Sequence, residues 1–133
     1  MFRVPSSSDP RKVVLPTAGE LRLLEILWLI GEGTVEDLLE ASGKNPPNYK
    51  TTQTLLRIME EKKLVSHRLQ GRAFLFRAKV TREQVTRVSV GNLISRFFGG
   101  SRAGLLVNLL EDERIRADEL EELEELIRRR KRK

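Results

Sequence analysis

The chain has 133 residues, 39% of them apolar and 33% charged, which bounds it to one or two small domains with a real core. A net charge of +6 favours an acidic partner such as DNA, RNA or an anionic membrane surface, while 19 acidic residues exclude a histone-like polycation. The lack of cysteine excludes a disulfide framework, a thiolate zinc site and a cysteine nucleophile.

Residues 1–14, MFRVPSSSDPRKVV, combine prolines, serines and basic residues and read as a flexible arm. They lack the apolar core of a signal peptide, and no run in the chain approaches the roughly 18 apolar residues of a membrane span. A cytoplasmic protein without membrane insertion is the expectation. Arg3, Arg11 and Lys12 could touch phosphate, but a disordered tail is the simpler reading of the arm.

PTAGELRLLEILWLIGEG predicts a first helix, with Thr17 and Glu20 as a capping box and Leu21, Leu24, Leu27 and Trp28 on one stripe. At that spacing Trp28 is a core residue rather than a base-stacking one. TVEDLLEASG predicts a short second helix capped by Thr34 and ended by Gly43. KNPP forms a turn, because its prolines forbid a helix through it. The third helix starts at Asn48 and is expected to bury Leu55, Leu56 and Met59, with Thr52 and Ile58 beside the stripe. LVSHRL and AFLFRA then read as a hairpin, with Gly71 supplying the positive φ of a tight turn. Residues 15–80 thus form a winged helix-turn-helix in a mainly α chain with a small β-hairpin wing.

The rest is helical. Thr81 caps a helix to Phe98, GGS breaks it, and Ser101 caps the next through Leu110. The last helix runs from Ala117 to Arg130, followed by a basic tail over 129–133. The helices over 81–128 are too few and short for a good independent core. Exchange between two copies would bury their apolar faces. The candidate dimerisation residues are Val85, Val88, Leu93, Ile94 and Phe97, then Leu105, Leu106 and Leu109, then Leu120, Leu123, Leu126 and Ile127.

Catalytic constellations do not emerge. The single histidine, His67, lies in a wing strand without acid or base partners near in sequence. GGSRAG lacks the lysine-serine/threonine ending of a phosphate loop. Metal-ligand spacing is missing, and no cofactor is implied. The chain does not read as an enzyme. The third helix, by contrast, opens with Asn48, Tyr49, Lys50, Thr51, Gln53, Thr54 and Arg57. In a helix-turn-helix the start of the second helix of the motif faces base edges in the major groove. Lysine donates to guanine, glutamine pairs with adenine, and threonine offers a hydroxyl or a methyl. Asn48 and Tyr49 sit where helix N–H groups attract phosphate. Arg68 and Arg72 in the wing suit the DNA backbone or the minor groove.

The pattern LPTAGELRLLEILW…GTVEDLLE…YKTTQTLLRIMEEKKLV…GRAFLF, with Phe98, Gly99, Gly100 and Ser101 after it, resembles the bacterial penicillinase-repressor family of BlaI/MecI/CopY type. The resemblance covers about residues 15–128 in order. It implies a homodimeric repressor on a double-stranded DNA operator of dyad symmetry, occluding a promoter. It also implies, for the β-lactam branch, a membrane sensor-protease pathway ending in cleavage between an asparagine and a phenylalanine. The matching bond here is Asn108–Leu109. The copper branch senses metal through cysteines, which this chain lacks. The alternative reading is a winged-helix protein-interaction adaptor without sequence-specific DNA binding. Salt-sensitive binding to DNA upstream of the chain's own gene separates the two.

Overall fold

A computed structural model describes residues 13–43 and 47–133. Residues 1–12 of the expected arm over 1–14, with its three basic residues, and Lys44, Asn45 and Pro46 of the turn lie outside the described residues, whereas Val13 is buried in the core. The elements in chain order are α1 (Ala18–Ile30), α2 (Val35–Ala41), α3 (Tyr49–Glu61), β1 (Val65–Gln70), β2 (Ala73–Ala78), α4 (Arg82–Phe97), α5 (Arg102–Leu110) and α6 (Ala117–Lys131). The chain divides into two compact units, one ending at Gly91 and the other starting at Asn92, so that the division falls within α4.

In the first unit each helix starts where a polar side chain satisfies the free N–H groups of the first turn. Thr17 and Glu20 form a reciprocal capping box on α1, and Thr34 and Asp37 form another on α2. Asn48 caps α3 through the Thr51 N–H. Thr81 and Gln84 bond reciprocally at the start of α4. β1 and β2 pair antiparallel, Val65 opposite Ala78 through Gln70 opposite Ala73. This leaves a two-residue turn with Gly71 at φ +63° in its first position, a conformation that costs glycine little.

A third segment joins this hairpin. The Gly33 N–H donates to the Phe76 carbonyl at 3.0 Å, and the Phe76 N–H donates back at 2.8 Å. β2 is therefore flanked on both sides. Glycine is needed at position 33, because a Cβ there would sit 2.9 Å from both Asp37 Cβ and Ile30 Cδ1.

The core gathers Leu23, Leu24 and Leu27 of α1, Val35 and Leu38 of α2, Leu56 and Met59 of α3, then Leu64, Val65, Phe76 and Val80. Each such side chain contributes roughly 1.5–3 kcal/mol on burial. Trp28 packs against this core and donates its indole N–H to the Val80 carbonyl at 2.9 Å, with the Arg82 guanidinium 4.8 Å above its ring. Four side chains depart from expectation. Thr52, not Leu55, occupies the centre of the buried α3 face, and Leu55 is half-buried. Val85 is buried in this core and Val88 packs on it, although the sequence placed both on the dimerisation face. A helical stripe looks the same in sequence whichever unit it faces.

In the second unit Ser101 caps α5 through the Gly104 N–H. Ile94 is the single buried residue among those described there, and α5 and α6 bury none. Leu105 is half-buried. Leu93, Phe97, Leu106, Leu109, Leu120, Leu123, Leu126 and Ile127 are exposed, Phe97 at 71%. No described helix is long and apolar enough to cross a membrane.

Candidate nucleic-acid interface

Helix α3 separates its chemistry by face. Thr52, Leu56 and Met59 recur at i, i+4 and i+7 and are buried. Lys50, Gln53, Thr54 and Arg57 recur at i, i+3, i+4 and i+7 and are exposed, with Tyr49 and Thr51 beside them. At 1.5 Å per residue this polar stripe spans about 10 Å. Lys50 and Arg57 have no ion partner among the described residues, and neither has Arg72 at the wing turn. Three uncommitted cations therefore border one surface.

Between α3 and the wing runs an open groove of about 820 Å³. Tyr49, Gln53, Thr54 and Arg57 line it from the helix, and Arg72, Ala73, Phe74 and Phe76 line it from the wing. The start of α2 closes one side with Thr34, Val35 and Glu36. Sequence reasoning did not assign these three to the site. Their signal was their place at the start of the first helix of the motif, the helix that crosses the backbone in helix-turn-helix complexes.

The groove also holds a carboxylate, Glu60, in the last turn of α3. His67 meets it, with Nδ1 2.7 and 2.8 Å from its two oxygens. The imidazole stacks on Phe74 at 4.2 Å and 9°. His67 thus has an acidic partner after all, seven residues before it on another element. The arrangement ties the wing to α3 and satisfies a charge that would otherwise face the groove.

Arg68 behaves differently from Arg72. Its guanidinium donates twice to Glu32, at 2.6 and 3.1 Å. The hydrogen bond from Arg68, aided by its charge and that of Arg77, holds the Glu32 carboxyl below its ordinary value. The same bond and charge raise Arg68 above its own. Arg68 fastens β1 to the turn after α1, so of the two wing arginines expected on DNA only Arg72 has no ion partner among the described residues.

A second tie orients α3 itself. Glu20, 2% exposed, accepts two hydrogen bonds from Lys62 Nζ at 2.8 and 2.9 Å and one from the Thr17 N–H at 2.9 Å. Burial pushes this carboxyl up, but the Lys62 hydrogen bond, the Thr17 N–H and the Lys62 charge outweigh it and hold it below the ordinary carboxylate value. The start of α1 is thereby clamped to the end of α3. Among the described residues no His, Asp and Glu side chains cluster to hold a metal ion.

Of the remaining candidates, Asn48 is spent on its cap, while Asn108 and Leu109 lie exposed near the C-terminal end of α5. Against known proteins, residues 16–129 match the sequence model of the family described as penicillinase repressor. The chain is 24% identical over 128 residues to a penicillinase repressor of Bacillus licheniformis, a match that covers 96% of this chain and 93% of that protein. With a winged helix at its head and helices behind it, the chain belongs to the penicillinase repressor family, a family of DNA-binding transcriptional repressors.

Proposed function

We propose that the protein binds a dyad-symmetric operator as a homodimer and represses by covering the promoter. The observation that carries this reading is the exposed stripe Lys50, Gln53, Thr54 and Arg57, set beside a groove whose far rim holds Arg72. Lys50, Thr51, Gln53, Thr54 and Arg57 would meet base edges and phosphates in the major groove, and Arg72 would grip the backbone beside it. Asn48 and Tyr49 sit at the helix start, where the dipole favours phosphate. The exposed apolar residues of α5 and α6 support a second copy as the cover for the C-terminal unit.

Induction by cleavage at Asn108–Leu109 belongs to the same proposal. The bond lies two residues from the α5 C-cap, Glu111, where a helix frays most readily into the extended form a protease needs. Cutting there would separate α6 from the rest of the dimerisation unit.

The test is a fluorescence titration of the full chain on DNA upstream of its own gene and on random duplex, at several salt concentrations. Salt-sensitive, sequence-dependent binding is expected. Gln53→Ala should cost roughly 1–3 kcal/mol on the operator and little on random DNA. Equal weakening on both would remove Gln53 from base readout, and no salt-sensitive binding at all would favour the adaptor.

A further inference from the structure

The charged side chains that line the groove among the described residues are Glu36 of α2, Arg57 and Glu60 of α3, and Arg72 of the wing turn. Two cations are matched by two carboxylates, so these four leave the groove without net charge. A surface that receives phosphates gains from a positive balance. The group that can tip it is His67, whose ring meets Glu60.

The Nδ1 contact reaches both Glu60 oxygens, at 2.7 and 2.8 Å. An ionised carboxylate only accepts hydrogen bonds, so Nδ1 carries a proton whether the ring is charged or neutral. The proton that comes and goes sits on Nε2, which has no hydrogen-bond partner among the described residues. Its loss changes charge and not position. The Nδ1 bond to Glu60 stays, and stacking on Phe74 holds the plane of the ring. The two side chains are 29% and 36% exposed, open enough to exchange a proton and to feel a ligand's charge. The other charges of the hairpin, Arg68 and Arg77 with Glu32, belong to its opposite face. Arg77 pairs with Ser66 and Arg68 with Leu75, whereas His67 pairs with Phe76, and successive strand residues alternate sides.

We propose that His67 and Glu60 form a proton-operated charge switch in the DNA groove, the protonated state being the one that binds tightly. This rests on the DNA reading above and adds its regulation. With His67 protonated, the imidazolium offsets Glu60 and the groove keeps one positive charge. With His67 neutral, Glu60 offsets an arginine and the groove keeps none. Histidine is the side chain whose ordinary titration falls between about pH 5 and 8, and His67 is the one histidine of this chain. Reciprocity fixes the sign. Phosphates favour the protonated ring, so protons favour DNA, and the extra affinity present at low pH is lost as pH rises through the histidine range.

The full chain is titrated on the DNA upstream of its own gene and on random duplex, from about pH 5.5 to 8.5 at constant low salt. Affinity should fall about five- to tenfold per chain over this range, and alike on both duplexes, because charge is changing and base readout is not. His67→Gln still offers Glu60 a donor but never a charge, and should bind at the weaker, high-pH level throughout. Glu60→Gln removes the carboxylate, and at the top of the range it should bind about as tightly as the unaltered chain does at the bottom. Calorimetry of the unaltered chain in two buffers of different ionisation heat, near neutral pH, should show uptake of part of a proton per chain on binding DNA. Parallel pH profiles for the unaltered chain and His67→Gln, or no proton uptake, overturn the switch and leave DNA binding standing. No salt-sensitive binding at any pH removes the DNA reading and the switch with it.

Discussion

Thr52 is fully buried in helix α3, and its hydroxyl has no hydrogen-bond partner. A buried, unsatisfied hydroxyl costs about 1–3 kcal/mol, because it loses water and gains nothing in return. Valine keeps the β-branch and nearly the shape of threonine, and the two have similar helix propensities. Thr52→Val should therefore stabilise the N-terminal unit by about 1–2 kcal/mol. For a domain of this size that raises Tm by roughly 5–10 °C. Thr52→Ala should do the opposite, since it also removes a methyl from a packed site. Urea unfolding followed by the fluorescence of Trp28 measures the unit that contains both residues. The midpoint should rise with an unchanged slope. DNA affinity should change less than about twofold, because Thr52 lies opposite the Lys50–Arg57 stripe. An unchanged or lower midpoint for the valine variant would refute the reasoning.

Other variants test the ties around the site. Glu20→Gln removes the charge that Lys62 meets and should cost about 2 kcal/mol at neutral pH, below the usual range for a buried pair because Lys62 is 29% exposed. The Glu20 carboxyl is held below its ordinary value of 4.5, so its contribution is present above that pH and is lost as pH falls through the depressed native value. The difference between wild type and variant in acid denaturation should accordingly shrink below about pH 4.5; a constant difference would contradict the assignment. Arg72→Glu should weaken binding to all duplexes and flatten the salt dependence, whereas a loss confined to one sequence would make Arg72 a base reader. Arg68→Ala should act on the wing, speeding amide exchange in β1, with less effect on the salt slope than Arg72→Glu. The reverse order would make Arg68 the phosphate contact.

Much of the fold was legible because its signals are local. A capping threonine with its acid or amide three residues on, the asparagine before α3, and Gly71 between two alternating runs each act within one turn. The polar stripe of α3 was legible for the same reason. What stayed hidden is carried by pairs far apart in sequence. Arg68 looked like a phosphate ligand because Glu32 is 36 residues away, and Glu20 looked like a cap alone because Lys62 is 42 away. The end of α3 was hidden by an unusual choice. Lys63 takes φ +65°, the Lys63 N–H bonds Glu60, and the Leu64 N–H bonds Met59. This is a Schellman ending that normally advertises itself with glycine. The packing of Val85 and Val88 on the core of the first unit was hidden because periodicity names a face and not its neighbour.

The bridge between Gly33 and Phe76 has a consequence for how the molecule would measure DNA. It joins the wing to the turn between α1 and α2, and Glu32 repeats the join through Arg68 one residue earlier. The wing therefore behaves as a fixed jaw rather than a loose flap, and the gap between it and α3 is set before any ligand arrives. A caliper of fixed opening discriminates by groove width and local stiffness, at base pairs it never touches. Mismatched duplexes would be rejected by the energy of reshaping the DNA, since the protein has little slack with which to meet them.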